Sequence, residues 1–246
     1  MSVTTQQPSA PSKLAQLLRG SRTVPATSFT ATGQWKPTPQ SFIALFVGLW
    51  LFGVGEALLL AADLGATPWT VFAQGLSIRT GISIGWTTFI VSAGVLLLWI
   101  PLRQRPGLGT IMNIIVIALS LGVTYSLLTT PDSLALRYVM MFAGIAIIGL
   151  GSGFYLTSGH GPGPRDGLMT GLHRRSGWPV GRVRLCIEVV VLIVGWLLGG
   201  TVGIGTALFA LLIGQSVAMG LHIVHALFPS HDRHAPEPSD EPEVIE

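Results

Sequence analysis

Six stretches of the chain, at about 41–62, 83–102, 108–129, 136–158, 183–199 and 204–228, are dominated by apolar residues. Each is close to the roughly 20 residues that a helix needs to cross about 30 Å of hydrocarbon. A water-soluble domain could not hide that much apolar surface. Only 10% of the 246 residues are charged and 49% are hydrophobic, whereas soluble domains carry about 25% charged residues. The expectation is an all-α membrane protein with six transmembrane helices and the lipid bilayer as its solvent. Whole-chain disorder, nucleic-acid binding and a secreted disulfide scaffold are excluded. The lone Cys186 permits no intramolecular disulfide and reads as a small buried apolar residue.

The flanks differ in composition. Residues 1–40 are rich in Ser, Thr, Pro and Gln, and 229–246 are Pro-rich and acidic. Both read as disordered tails around a membrane domain at 41–228. The cationic residues set the expected orientation. With the N-terminus inside, the inner segments hold 12 of the 14 Lys and Arg, leaving Arg79 and Arg137 outside. Both termini are then cytoplasmic.

Sliding the chain by 96 residues aligns its two halves without a gap. Of the 69 positions from 42 to 110, 18 are identical in 138–206. Gly48, Gly53 and Gly55 meet Gly144, Gly149 and Gly151. Gly65 and Pro68 meet Gly161 and Pro164, and Gly107, Gly109 and Thr110 meet Gly203, Gly205 and Thr206. Repeat 1 spans about 41–129 and repeat 2 about 136–228. Three crossings per repeat is an odd number, so the second repeat is expected upside down relative to the first.

Between the first and second spans of each repeat lies a short segment begun by Gly and Pro, at 63–82 and 159–182. Pro68 and Pro164 suit the first turn of a helix, and Thr67 suits the position before it. Gly81 and Gly177 suit the ends. Dipping into the protein, these helices would aim free N–H groups at a cavity. Lying on the membrane surface, they would be connectors only. Both placements stay open. Asp166 suits a cap or a cation contact, and Arg165 a partner for it or for a lipid phosphate.

Glu56 and Glu188 fall inside apolar runs, where a charge costs roughly 2.5–3.5 kcal/mol. Their repeat mates are Ser152 and Ser92. Both acids read as cavity-facing; the alternative is a hydrogen-bonded Glu56 and a Glu188 paired with Arg184. The small residues around Gly55 and Gly151 suggest that the first and fourth spans cross closely there. Asn113 joins the candidate solute site with Glu56, Glu188, Pro68, Thr70, Pro164, Arg165 and Asp166. Arg174, Arg175, Arg182 and Arg184 read as a contact for anionic lipid. Tryptophans near span ends, Trp69 and Trp99 among them, read as interfacial anchors.

No nucleophile elbow, Walker loop or zinc-protease pattern occurs. No enzyme activity, cofactor or metal site is expected. Gly161-Pro-Gly-Pro-Arg-Asp-Gly-Leu-Met, with Gly75-Leu-Ser, Thr80-Gly-Ile-Ser-Ile-Gly85 and Gly199-Gly-Thr-Val-Gly-Ile-Gly-Thr206, resembles the bacterial YczE-like integral membrane proteins, related to the YitT group. The resemblance covers about 41–228. Two departures stand out: Thr70 where similar proteins tend to have Asp, and Gly214-Gln215 where they tend to have Gly-Pro. The resemblance implies a bacterial multipass membrane protein. The residues themselves point to a transporter of a small solute or ion. The alternative is a non-transporting factor that docks a cytoplasmic partner through 159–184.

Overall fold

A computed structural model of the chain describes residues 24–230. Every named element among them is helical. The order is α1 (Pro39–Ala61), α2 (Pro68–Thr80), α3 (Ile84–Leu97), the short α4 (Trp99–Leu102), α5 (Leu108–Leu127), α6 (Leu134–Thr157), α7 (Pro164–Ser176), α8 (Val180–Leu197) and α9 (Ile204–Leu227). Local chemistry sets the boundaries. The Thr38 hydroxyl accepts the Ser41 N–H and the Ser41 hydroxyl accepts the Thr38 N–H, closing a capping box ahead of α1. Thr67 caps α2 through the Thr70 N–H, and Pro68 and Pro164 open α2 and α7. Gly81 and Gly177 end those helices at φ of 74° and 71°, a left-handed geometry that glycine adopts without a Cβ clash.

Five helical segments are long and apolar enough to cross a membrane: Pro39–Ala61, Ile84–Leu102, Leu108–Leu127, Leu134–Thr157 and Ile204–Leu227. The second of these runs through α3 and α4. The sixth stretch expected from the sequence forms α8, 18 residues long, but it carries Arg182, Arg184 and Glu188. Large apolar side chains face outward along the bundle, among them Leu97, Ile100, Leu127 and Leu211. In water such a surface would drive association; in lipid it is the solvated face.

The antiparallel pair α1 and α6 forms the centre. A methyl on Gly48 would lie 2.7 Å from the Gly151 carbonyl oxygen, and one on Gly55 would lie 2.7 Å from that of Gly144. Glycine is therefore required where these backbones touch. On the flanks, α5 packs against α1 with Ser120 at Gly53, and α9 packs against α6 with Ser216 at Gly149. The Ser120 hydroxyl donates to the Trp50 carbonyl at 2.7 Å, and the Ser216 hydroxyl to the Ile145 carbonyl at 2.8 Å.

The two Gly/Pro connections are tied down by matching bonds. The Gly109 N–H donates to the His160 carbonyl at 2.8 Å, and the Thr110 hydroxyl to the Pro162 carbonyl at 2.7 Å. Ninety-six residues away, the Gly205 N–H donates to the Leu64 carbonyl at 2.7 Å and the Thr206 hydroxyl to the Ala66 carbonyl at 2.9 Å. In each set, one half of the chain supplies the donors and the other half the acceptors.

The match fails in one place. A methyl on Gly85 of α3 would lie 3.0 Å from both the Ala118 carbonyl oxygen and the Gly122 Cα of α5. The corresponding Gly181 of α8 and Gly214 of α9 would meet nothing within 4 Å. Thus α3 lies against α5, whereas the start of α8 stands clear of α9.

Residues 24–38, within the stretch expected as a tail, cross one end of the bundle as a strap. The Ala31 N–H donates to the Ser158 carbonyl at 3.0 Å, the Trp35 indole to the Pro106 carbonyl at 3.1 Å, and the Ser28 N–H to the Phe228 carbonyl at 3.1 Å. Phe29 packs with Phe154 and Phe228. His160 is buried beneath the strap, with Nε2 3.0 Å from the Ser41 hydroxyl and Nδ1 3.3 Å from the Gln34 carbonyl. The remaining parts of the expected tails, 1–23 and 231–246, lie outside the described residues. Cys186 is exposed on α8, so its buried reading is corrected. Trp69 and Trp99 are buried inside the protein and are not interfacial anchors; the Trp99 indole donates to the Pro164 carbonyl at 2.9 Å and fixes the start of α7.

Candidate functional site

A cavity of about 250 Å³ lies among α1, α2, α5, α6, α7, α8 and α9. It is roomy enough for several waters or a small solute. The starts of α2 and α7 both reach it, through Thr67, Pro68 and Trp69 from one and Gly163, Pro164, Arg165 and Asp166 from the other. The connecting helices are therefore partly enclosed by protein and not simple surface connectors. Glu56 enters from α1, Asn113 from α5, Ser152 and Tyr155 from α6, and Arg184 and Glu188 from α8. Phe52, Ile148, Phe209, Ile213 and Val217 supply apolar wall.

Seven of the eight predicted residues thus meet at one cavity. Thr70 does not line it. Its buried hydroxyl turns back to the Thr67 hydroxyl at 2.8 Å, completing the cap of α2. Its repeat mate Asp166 does face the cavity, so the two connections are chemically unequal.

Glu56 is the most deeply placed charge, with its side chain 1% exposed. Its Oε1 accepts from an Arg165 guanidinium nitrogen at 3.3 Å, and the Thr67 hydroxyl stands 3.5 Å away. Its Oε2 is buried and has no hydrogen-bond partner among the described residues. Arg165 also lies over the Trp69 ring, its central carbon 5.2 Å from the ring centre, a cation–π contact. The pairing of Arg165 with Glu56 across 109 residues was not legible in the sequence, where Arg165 read as a partner of Asp166 or of lipid.

At the α8 wall, Arg184 Nε meets Glu188 Oε1 at 2.9 Å, one helical turn apart. This is the alternative pairing foreseen for Glu188, yet both residues line the cavity. Arg184 is therefore committed to Glu188, whereas Arg174, Arg175 and Arg182 are exposed away from the cavity. Asp166 lines the cavity, with an exposed surface but protein packed closely around it. The loss of solvation raises its carboxyl above the ordinary range, opposed by Arg184, Arg165 and the Gly163 N–H. Tyr155, unmarked in the sequence because an aromatic in an apolar run looks like core, sets its hydroxyl 3.4 Å from the Gly161 carbonyl. A methyl on Gly163 would come within 3.2 Å of both Asn113 Nδ2 and the Tyr155 hydroxyl, so this corner of the wall is filled.

Residues 39–221 match the model of a family of unknown function, DUF6198. An uncharacterised protein of Haemophilus influenzae is 44% identical over 206 residues, covering 84% of this chain and 94% of that protein. The uncharacterised membrane protein YczE of Bacillus subtilis is 30% identical over 178 residues, covering 72% of this chain and 83% of its own length. The uncharacterised protein YyaS of the same organism is 23% identical over 192 residues, covering 76% of this chain and 92% of its own. No solved structure matches. With its apolar helices and the extent of these matches, the chain belongs to the YczE-like, DUF6198 family of bacterial membrane proteins.

Proposed function

We propose that this protein is a transporter that carries a small solute across the bacterial cell membrane by exposing the cavity to one side and then the other. It does so as two inverted three-helix repeats with six crossings, α8 being the sixth. At 1.5 Å per residue, α8 is about 27 Å long. Two of its three charges, Arg184 and Glu188, line the cavity and pair with each other, which lowers the cost of its crossing. The matched bonds of Thr110 and Thr206 support the repeat. The distribution of cationic residues supports cytoplasmic termini. Arg174 and Arg182 are then left for anionic headgroups. The protein is not an enzyme in this reading.

The observation that carries the proposal is the unequal state of two equivalent gates. Gly85 is closed against Ala118 and Gly122, while Gly181 and Gly214, at the positions of Gly85 and Ala118, stand open. Two halves of one design in different conformations imply that each can adopt the other's. Exchange would press α8 onto α9 and release α3 from α5, moving access from the inner to the outer face. The test is cross-linking in membranes of a G181C/G214C variant in a C186S background. A gate that closes traps a disulfide between α8 and α9. Failure to form that bond under oxidation, with both thiols labelled by maleimide, contradicts the proposal.

A further inference from the structure

Taking the cavity as the solute site of that transporter, we propose that its solute is a small organic cation, a protonated amine on a short apolar body, bound by Glu56 and Asp166. The argument is a count of donors and acceptors. Three carboxylates line the cavity, Glu56, Asp166 and Glu188, against two guanidiniums, Arg165 and Arg184. Each guanidinium already holds a carboxylate: Arg165 holds Glu56 Oε1 at 3.3 Å and Arg184 holds Glu188 Oε1 at 2.9 Å. What remains is acceptor. Glu56 Oε2 is buried without a donor, and the Asp166 carboxylate has no side-chain donor among the described residues.

An anion finds little here. The start of α2 is served by Thr67, with the Glu56 carboxylate 3.5 Å behind its hydroxyl. The start of α7 carries Asp166 in its first turn, where a negative side chain satisfies the helix dipole. A bare metal ion also fits poorly. Divalent cations want six or more oxygens, and no cluster of three or more metal-ligating side chains occurs among the described residues. Phe52, Phe209, Ile213 and Val217 offer the opposite wall to carbon, not to a hydrated ion. One buried donor, the Trp69 indole N–H, is also without a partner. It suits a neutral acceptor such as a hydroxyl on the same solute. Ammonium to carboxylate, with carbon against the apolar wall, satisfies what the chain leaves unsatisfied.

The test uses the full chain in lipid nanodiscs. The probes are n-alkylammonium ions of two to six carbons, with the matched n-alkyl carboxylates and n-alcohols. Binding is read by thermal shift and by tryptophan fluorescence. The expected result is stabilisation that rises with ammonium concentration, with carboxylates and alcohols inert. Asp166→Asn and Glu56→Gln should each weaken ammonium binding at least tenfold. If Glu56→Gln fails to fold, Asp166→Asn and the charge series on the unaltered protein still decide. Stabilisation by the carboxylates, equal stabilisation by the alcohols, or no response to any ammonium ion overturns the cation assignment. The G181C/G214C cross-link separates this from the transport reading. Gate closure without amine binding removes only the solute class. Amine binding in a protein whose gate never closes removes transport and leaves a cation site.

Discussion

Arg165 and Trp69 occupy equivalent positions in the two repeats, 96 residues apart, and they touch. The guanidinium carbon lies 5.2 Å from the indole centre. In the proposed inverted repeat, a contact between such mates falls on the axis that relates the halves. Here the two positions hold different residues, so the guanidinium stacks on the indole. Arg165 also reaches Glu56, and this one side chain joins α7, α2 and α1 at the cavity.

Removing Arg165 should therefore cost more than removing its partner. Arg165→Ala leaves Glu56, 1% exposed, as a buried carboxylate without a cation. Breaking such a pair costs on the order of 3–5 kcal/mol. A large fall in melting temperature is expected, mostly recovered in the double variant with Glu56→Gln. Equal falls for Arg165→Ala alone and for the double variant would show that the ion pair is not what holds this junction.

The two gate glycines should respond in opposite ways to the same change. Gly181→Leu enters open space and replaces a helical glycine, so the fold should be at least as stable as the parent; a helical Gly costs about 1 kcal/mol relative to Ala. Solute exchange should nevertheless stop, because the leucine fills the surface onto which α9 must close. Gly85→Leu meets Ala118 and Gly122 at 3.0 Å. It should destabilise the protein and favour the opposite opening. Melting curves and cavity labelling at an introduced Ser152→Cys, with Cys186→Ser, check both.

Asp166 gives a pH signature. Burial raises its carboxyl above the ordinary value, so the folded state binds this proton more tightly than the unfolded chain does. Its contribution to stability is then highest at low pH and is lost as pH rises through the folded value. The melting temperature of Asp166→Asn, measured from pH 4 to 8, should lie close to that of the parent at the acid end. It should exceed the parent increasingly as pH rises. A constant offset across the series would remove Asp166 as the titrating group.

The strap makes a prediction independent of transport. Phe29, 6% exposed, fills a site between Phe154 and Phe228. Phe29→Ala should cost about 3–5 kcal/mol, seen as a lower melting temperature. Limited proteolysis should then cut between residues 24 and 38, where the parent resists.

The sequence carries the cavity far better than it carries the strap or the gates. Glu56 and Glu188 announce themselves as charges in apolar runs, and the 96-residue offset brings Pro68 and Pro164 to one place. Thr70 stood among them in the sequence, but its hydroxyl serves the cap of its own helix, a choice that symmetry does not show. Trp69 and Tyr155 look like interface or core residues by position, because nothing local distinguishes an aromatic that faces a cavity, and Trp99 looks like an anchor although it is buried against the start of α7. The strap is Ser-, Thr- and Pro-rich, and its order comes from long-range bonds to Ser158, Pro106 and Phe228. The gate asymmetry is beyond any repeat alignment, since Gly85 and Gly181 are the same residue in the same register.

The most direct measurement places spin labels at Gly181→Cys and Gly214→Cys, in a Cys186→Ser background, and records their distance by pulsed dipolar spectroscopy in lipid nanodiscs. Both positions face open space and should accept the label without loss of fold. The account predicts two distance populations, the longer with α8 clear of α9 and the shorter with the two packed. Their ratio should change with n-alkylammonium concentration. A single distance, unchanged by pH, by solute and by Gly85→Leu, would contradict the claim that the two repeats exchange their conformations.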